Sequence, residues 1–260
     1  MAIFRGTIRS KSLMMDTMVN VIVPYEHFYI EPKSPQNKTV ILLHGLKQNA
    51  DAWNRMSRIE QYAHMTGFNV VIPEVQRSFY TDMPYGLRYF EYVAEELPQM
   101  VKTVFNIPAD GEHLYAAGLS MGGFGAMKCA LTYPDRFAGA MSFSGGLRCL
   151  ENVEKYSAIL PLEEYRAVLG MDLTCGPENN LMQLAEKASK AERKPKLYIA
   201  CGTEDFLITE NREFRDHVMQ LGFDVTYEEW PGIHDWKFWD RACGRSLAMM
   251  SGLKPEDVDC

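Results

Sequence analysis

Ser120 lies in Gly118-Leu119-Ser120-Met121-Gly122-Gly123, directly behind the apolar run Leu114-Tyr115-Ala116-Ala117 and ahead of Gly123-Phe124-Gly125-Ala126. A strand, a tight turn with glycines two before and two after a serine, and a helix-forming run make the pattern of a nucleophile elbow. In such a turn a strained backbone pushes the hydroxyl out above the sheet. The flanking glycines are needed because side chains there would collide as strand and helix converge. A serine hydroxyl near neutral pH is a poor nucleophile, so the turn does chemistry only with a base and an acid that orients it.

In the chain order serine, acid, histidine, only His217 and His234 follow Ser120. His217 sits among charges in Glu213-Phe214-Arg215-Asp216-His217-Val218 and reads as a solvated helix residue. His234, in Trp230-Pro231-Gly232-Ile233-His234-Asp235-Trp236, falls in a loop between a strand and the last helix, and is the expected base. Its competing role is to cap the helix opening at Asp235. The acid is expected after the strand Leu197-Tyr198-Ile199-Ala200-Cys201-Gly202, in Thr203-Glu204-Asp205-Phe206. Asp205 is preferred because Phe206-Leu207 behind it offers an apolar anchor for the loop, and Glu204 is the fallback. Helix capping is the competing role for Asp205, with Thr209 the other candidate cap. Asp216 and Asp224 read as surface residues.

A tetrahedral intermediate needs two donors for its oxyanion. The Met121 N–H, opening a helix, is one. The second is expected from the loop after Val40-Ile41-Leu42-Leu43, at the Leu46 N–H, with Gly45 letting the backbone approach the substrate. His44 is expected to orient that loop rather than to act as a second base.

The elements that must hold these residues are short apolar runs alternating with amphipathic stretches. Strand-like runs recur at 19–23, 40–43, 69–72, 114–117, 139–143, 197–200 and 225–227, and helical patterns at 51–66, 88–105, 123–133, 209–221 and 235–250. This alternation predicts one α/β domain over 1–260, a mostly parallel sheet covered by helices on both faces. The strands that precede any helix are expected to form an antiparallel edge. Between 147 and 189 no strand pattern appears, and polar helical pieces such as 162–169 dominate. This segment is expected to be a lid-like insertion over the carboxyl edge of the sheet, where ligands bind in open α/β folds. Tyr80, Tyr85, Trp53, Trp230 and Trp236 fall near loops on that edge. Of these, Trp53, Tyr80 and Tyr85 are expected to contact substrate, where a ring would stack on a phenolic acid or sugar. Trp236 and Trp239 are expected mainly to pack the last helix onto the sheet.

Composition narrows the classes. The 260 residues suffice for one domain with a large core. The formal charge of −7 argues against nucleic-acid binding, which needs a basic face. No apolar stretch is long enough to span a bilayer, and the start Met1-Ala2-Ile3-Phe4-Arg5-Gly6-Thr7-Ile8 has no leader pattern. The six cysteines, Cys129, Cys149, Cys175, Cys201, Cys243 and Cys260, have no metal-ligand spacing. Cys129 and Cys201 sit in apolar runs and read as buried free thiols, which suits a reducing cytoplasm. No metal and no cofactor are expected.

On these residues the chain resembles the esterase D and tributyrin-esterase group of α/β-hydrolases. S-formylglutathione hydrolases, the acetylxylan and feruloyl esterases of carbohydrate esterase family one, and mycolyltransferases are related to that group. The likeness is densest at Leu42-Leu43-His44-Gly45, Tyr80-Thr81-Asp82 with Tyr85-Gly86, and Ala94-Glu95-Glu96-Leu97-Pro98. It continues at the serine turn, Ser142-Phe143-Ser144-Gly145, Cys201 to Leu207 and Gly232 to Trp236. The resemblance implies an α/β-hydrolase fold, Ser120, Asp205 and His234 as catalytic residues, Leu46 and Met121 as oxyanion donors, and self-association. The expected activity is hydrolysis of short-chain acyl or hydroxycinnamoyl esters, on small molecules or on cell-wall sugars, through an acyl-enzyme on Ser120. The alternatives are a glutathione-thioester hydrolase or an acyltransferase, and, in another class, a binding protein on a hydrolase scaffold. The loop His44-Gly45-Leu46-Lys47-Gln48-Asn49 departs from the Thr-Cys loop usual in the glutathione branch.

Overall fold

The computed structural model describes residues 1–25 and 38–258. Its frame is an eight-stranded sheet of β1 (Ala2–Ser10), β2 (Met15–Val23), β3 (Thr39–Leu43), β4 (Asn69–Pro73), β5 (Leu114–Leu119), β6 (Gly139–Phe143), β7 (Lys196–Gly202) and β8 (Val225–Trp230), in the spatial order β1-β2-β4-β3-β5-β6-β7-β8. The hairpin β1–β2 and the pair β2–β4 are antiparallel, and every other pair is parallel. The antiparallel edge and parallel body are those the sequence predicts. β1 itself carries no alternating strand pattern: only Ala2, Ile8 and Ser10 are withdrawn from solvent in Ala2–Ser10.

Helices cover both faces. They are α1 (Ala52–Met56), α2 (Ile59–Thr66), α3 (Tyr89–Glu91), which runs through a π-helical stretch at Tyr92–Glu96 into α4 (Leu97–Phe105), and α5 (Met121–Thr132). There follow α6 (Val153–Tyr156), α7 (Leu162–Leu169), α8 (Leu181–Ala188), α9 (Ile208–Gln220) and α10 (Trp236–Ser251). Strand residues alternate between two cores, as the two-residue period of a pleated strand requires. Ile41, Leu43, Ala116, Leu197 and Ile199 pack with α4, α5, α8 and α9 on one face, and Val40, Leu42, Ala117, Tyr198 and Ala200 pack with α2 and α10 on the other.

The strand order reverses between β3 and β5, because β4 follows β3 to one side and β6 to β8 follow β5 to the other. Leu43, the last residue of β3, lies opposite Gly118 at the end of β5. The loops leaving these strands diverge to opposite faces and open a crevice at their carboxyl ends, the place where open α/β sheets bind ligands. The segment 147–189 is strand-free and carries α6 to α8. No helix among the described residues is long and apolar enough to cross a membrane.

Candidate active site

Ser120 stands between β5 and α5 with φ 54° and ψ −117°, a backbone conformation that costs a non-glycine residue roughly 1–3 kcal/mol. Four backbone hydrogen bonds hold it there: the Ser120 N–H donates to the Phe143 carbonyl, and the Ser120 carbonyl accepts from Gly123, Phe124 and Gly146. A Cβ on Gly118 would lie 2.5 Å from the Gly122 backbone, and one on Gly122 would lie 2.3 Å from the Leu43 carbonyl oxygen. Both positions therefore exclude a side chain, and the turn closes against β3.

The loops that carry Asp205 and His234 are stitched together before they reach the serine. Thr203 N–H donates to the Trp230 carbonyl, Glu204 N–H to the Gly232 carbonyl, and Gly232 N–H to the Glu204 carboxylate. A Cβ on Gly202 would fall 2.2 Å from the Gly232 carbonyl oxygen, so the ends of β7 and β8 can converge this closely only with glycine. Asp205 Oδ1 accepts the Leu207 N–H at 2.9 Å, and its Oδ2 lies 2.9 Å from His234 Nδ1. His234 Nε2 lies 3.0 Å from Ser120 Oγ. A carboxylate only accepts, so Nδ1 carries the proton, and the Nε2 lone pair faces the serine hydroxyl. The Asp205 side chain is fully buried and that of His234 is 20% exposed. The imidazole sits between Phe206, with ring centroids 4.7 Å apart, and Trp239, edge-on at 4.8 Å.

The competing roles fall away on this geometry. Asp235, not His234, caps α10 by accepting the Phe238 N–H. Neither Asp205 nor Thr209 caps α9, which opens after Leu207 without a side-chain cap. Leu207 anchors the Asp205 loop as expected, whereas Phe206 is half-exposed and packs against the imidazole. Glu204 holds the Gly232 backbone and does not reach His234. His217 is a correction: it is half-buried, and its Nε2 donates to the Met182 carbonyl, tying α9 to α8 rather than facing solvent.

The two expected oxyanion donors line the same cavity as Ser120. Met121 opens α5, so its N–H has no partner within the helix. His44 is buried; its Nδ1–H donates to the Gly45 carbonyl at 2.9 Å, and its Nε2 accepts the Val75 N–H at 3.2 Å. It thus orients the loop as predicted. Gly45 lines the cavity too, and a Cβ there would meet Leu119 Cδ1 at 2.6 Å.

The cavity measures about 280 Å³, near the lower end of small-molecule sites (~300–1,000 Å³). Its body is apolar: Phe79, Leu119 and Met121 from the sheet side, and Cys149, Tyr156, Leu160 and Tyr165 from the 147–189 segment. Lys47 and Gln48 line the cavity beside Leu46. Burial pushes the Cys149 thiol far above its usual range, so it is an inert wall rather than a rival nucleophile. The hydroxyls of Tyr156 and Tyr165 are spent on the Glu210 carboxylate and the Cys149 carbonyl. Among the described residues no group of three or more His, Cys, Asp or Glu side chains is placed to hold a metal ion.

The aromatic residues expected to touch substrate do not line this cavity. Trp53 is fully buried and donates its indole N–H to the Leu43 carbonyl, bracing the end of β3. Tyr80 is fully buried against Gly125, with its hydroxyl on the His44 carbonyl. Tyr85 is 76% exposed and lies outside the lining. Trp230 stacks on Phe238, and Trp236 packs edge-on against Trp53. Trp239 does pack the last helix, and it also reaches the cavity. The walls from 147–189 were invisible at the residue level; the only signal was the absence of strand pattern over the sheet's carboxyl edge.

The reversed sheet order, the serine turn after β5, and Asp205 and His234 after β7 and β8 define an α/β-hydrolase. The chain belongs to the Esterase family, whose model matches residues 10–248, and it is a carboxylic ester hydrolase of the serine type. It is 33% identical to an acetyl esterase of Caldicellulosiruptor saccharolyticus over 96% of this chain and 98% of that one. Among solved structures it is similar to FphF, a fluorophosphonate-binding serine hydrolase of Staphylococcus aureus, at 30% identity and a TM-score of 0.84, covering 96% of this chain and 98% of the other. It is also similar to the S-formylglutathione hydrolase FrmB of Staphylococcus aureus, at 30% identity and a TM-score of 0.82, with the same coverage.

Proposed function

We propose that Ser120 is the nucleophile, His234 the general base and acid, and Asp205 the group that orients the imidazole. One observation carries this reading: His234 bridges the other two, with Nε2 3.0 Å from Ser120 Oγ and Nδ1 2.9 Å from Asp205 Oδ2. As Ser120 Oγ attacks an ester carbonyl, His234 Nε2 takes its proton, and the Leu46 and Met121 N–H groups receive the negative oxygen. The imidazolium then protonates the leaving alcohol. Water, activated by the same nitrogen, attacks the acyl-enzyme and frees the acid.

The substrates proposed are esters of small acyl groups. The confined, apolar cavity supports this, since its walls offer the acyl part van der Waals contact and few free polar partners. The similarity to an acetyl esterase supports the short end of the range. Hydroxycinnamoyl esters are the larger substrates to compare, and the similarity to an S-formylglutathione hydrolase makes the thioester worth the same assay. A panel of p-nitrophenyl acetate and butyrate, methyl ferulate, acetylated xylan oligomers and S-formylglutathione tests the choice. The acetate or butyrate ester is expected to give the highest kcat/KM, and Ser120→Ala is expected to abolish turnover. Near-wild-type turnover by Ser120→Ala would sink the mechanism.

A further inference from the structure

Leu46 is held from both sides, and the outer hold runs through Arg77 to α7. The Gly45 carbonyl, in the peptide unit that carries the Leu46 N–H, accepts from His44 Nδ1 at 2.9 Å and from the Gln48 N–H at 3.1 Å. In a planar trans peptide this aims the Leu46 N–H the opposite way. The Leu46 carbonyl, in the next unit, accepts from Arg77 Nη1 at 3.2 Å. The rest of the Arg77 guanidinium grips Glu164 of α7 in a two-point pair, Nε to Oε2 at 2.7 Å and Nη2 to Oε1 at 3.0 Å. The next residue, Tyr165, is fully buried and lines the cavity. One guanidinium therefore spans from α7 to the loop that carries the proposed oxyanion donor.

We propose that Arg77 is a positioning residue that couples the placement of α7, and so the fit of the acyl group against its wall, to the alignment of the Leu46 N–H. This rests on the reading of Leu46 as an oxyanion donor. Arg77 and Glu164 are both partly solvated, at 41% and 35% exposure of their side chains, and such a pair contributes little to folding. Its geometry is nevertheless specific, because a planar fork holds carboxylate and carbonyl at fixed angles. Tyr165 belongs to α7, so an acyl group that presses on this wall is expected to act on Leu46 through Arg77. One too short to reach it is not.

The test compares wild type, Arg77→Met, Glu164→Gln and the double variant on p-nitrophenyl acetate and butyrate, with the thermal midpoint of each. Arg77→Met is expected to lower kcat on butyrate about tenfold, short of the 10²–10³ typical of deleting an oxyanion donor, with KM changed less than about twofold. The loss on acetate is expected to be smaller. Glu164→Gln is expected to show part of the same loss, and the double variant to be no slower than Arg77→Met, because Glu164 acts only through Arg77. Unchanged kcat in Arg77→Met, equal losses on both esters, or losses that multiply in the double variant would overturn the coupling while leaving the Ser120 mechanism standing. A wild-type chain that hydrolyses neither ester would overturn the short-acyl reading of the cavity, and the coupling with it.

Discussion

Asp205 does two things with two oxygens, and the division explains why an aspartate rather than the adjacent glutamate occupies the site. Oδ1 is fixed by the Leu207 N–H, and Oδ2 is thereby aimed at His234 Nδ1. Asp205→Asn keeps the shape but can present an N–H to Nδ1, favouring the wrong tautomer. We expect kcat to fall by a factor on the order of 10³–10⁴, by analogy with the same change in the chymotrypsin-type triad. Glu204→Gln is expected to cost far less, because the Glu204 carboxylate binds only the Gly232 backbone. Steady-state kinetics of the two variants separates the neighbours, and comparable losses would contradict the assignment. That Ser120, Asp205 and His234 meet was legible in the sequence, because their order and their places after apolar runs constrain them jointly. The aromatic contacts were not legible. A ring in a loop can point either way, and with positive φ angles at Phe79 (52°) and Tyr80 (54°) the Tyr80 hydroxyl lies on the His44 carbonyl.

At the level of elements, Glu96 in Glu95-Glu96-Leu97-Pro98 is a fastening for the antiparallel edge and lies outside the cavity lining. Glu96 accepts the Lys11 and Ser12 N–H groups and the Ser10 hydroxyl, pinning the β1–β2 turn to the junction of the π-helical stretch with α4. Burial raises its pKa, but the hydrogen bonds from Lys11, Ser12 and Ser10 outweigh it and hold the carboxyl below the usual range. A carboxyl whose folded pKa is depressed adds stability above its unfolded pKa, about 4.3, and loses it as pH falls through the folded value. Glu96→Gln is expected to cost about 1–2 kcal/mol at pH 7, with the gap to wild type closing below about pH 4. Denaturant unfolding at a series of pH values checks this, and a gap independent of pH would contradict it. The pattern of strands and helices was readable from the sequence because the two cores impose strict alternation. The break of the 51–66 helix into α1 and α2 was not, since it depends on Asp240 of α10 accepting the Arg58 N–H and guanidinium.

On the scale of the whole molecule, the 147–189 segment is built into the main core. Tyr156, Leu160, Tyr165, Val168, Leu181 and Leu184 belong to the same apolar cluster as Ile41, Leu43 and Phe124. Buried Lys128 adds a polar tie, with Nζ on the Tyr80 carbonyl and on Asn179 Oδ1. Burial lowers its pKa to about 8. We expect one cooperative calorimetric transition, with calorimetric and van't Hoff enthalpies in agreement. A separate early transition for the segment would show that it folds as an independent lid. The continuity of this core lay beyond the sequence pattern, because the segment's helices are short and only their tertiary contacts mark which sides are buried.

The most direct test of the account is covalent labelling of the folded chain with a fluorophosphonate, followed by intact mass and peptide mapping. The account predicts one adduct, on Ser120, formed much more slowly in His234→Ala. No adduct, or an adduct on another serine at wild-type rate, would contradict it.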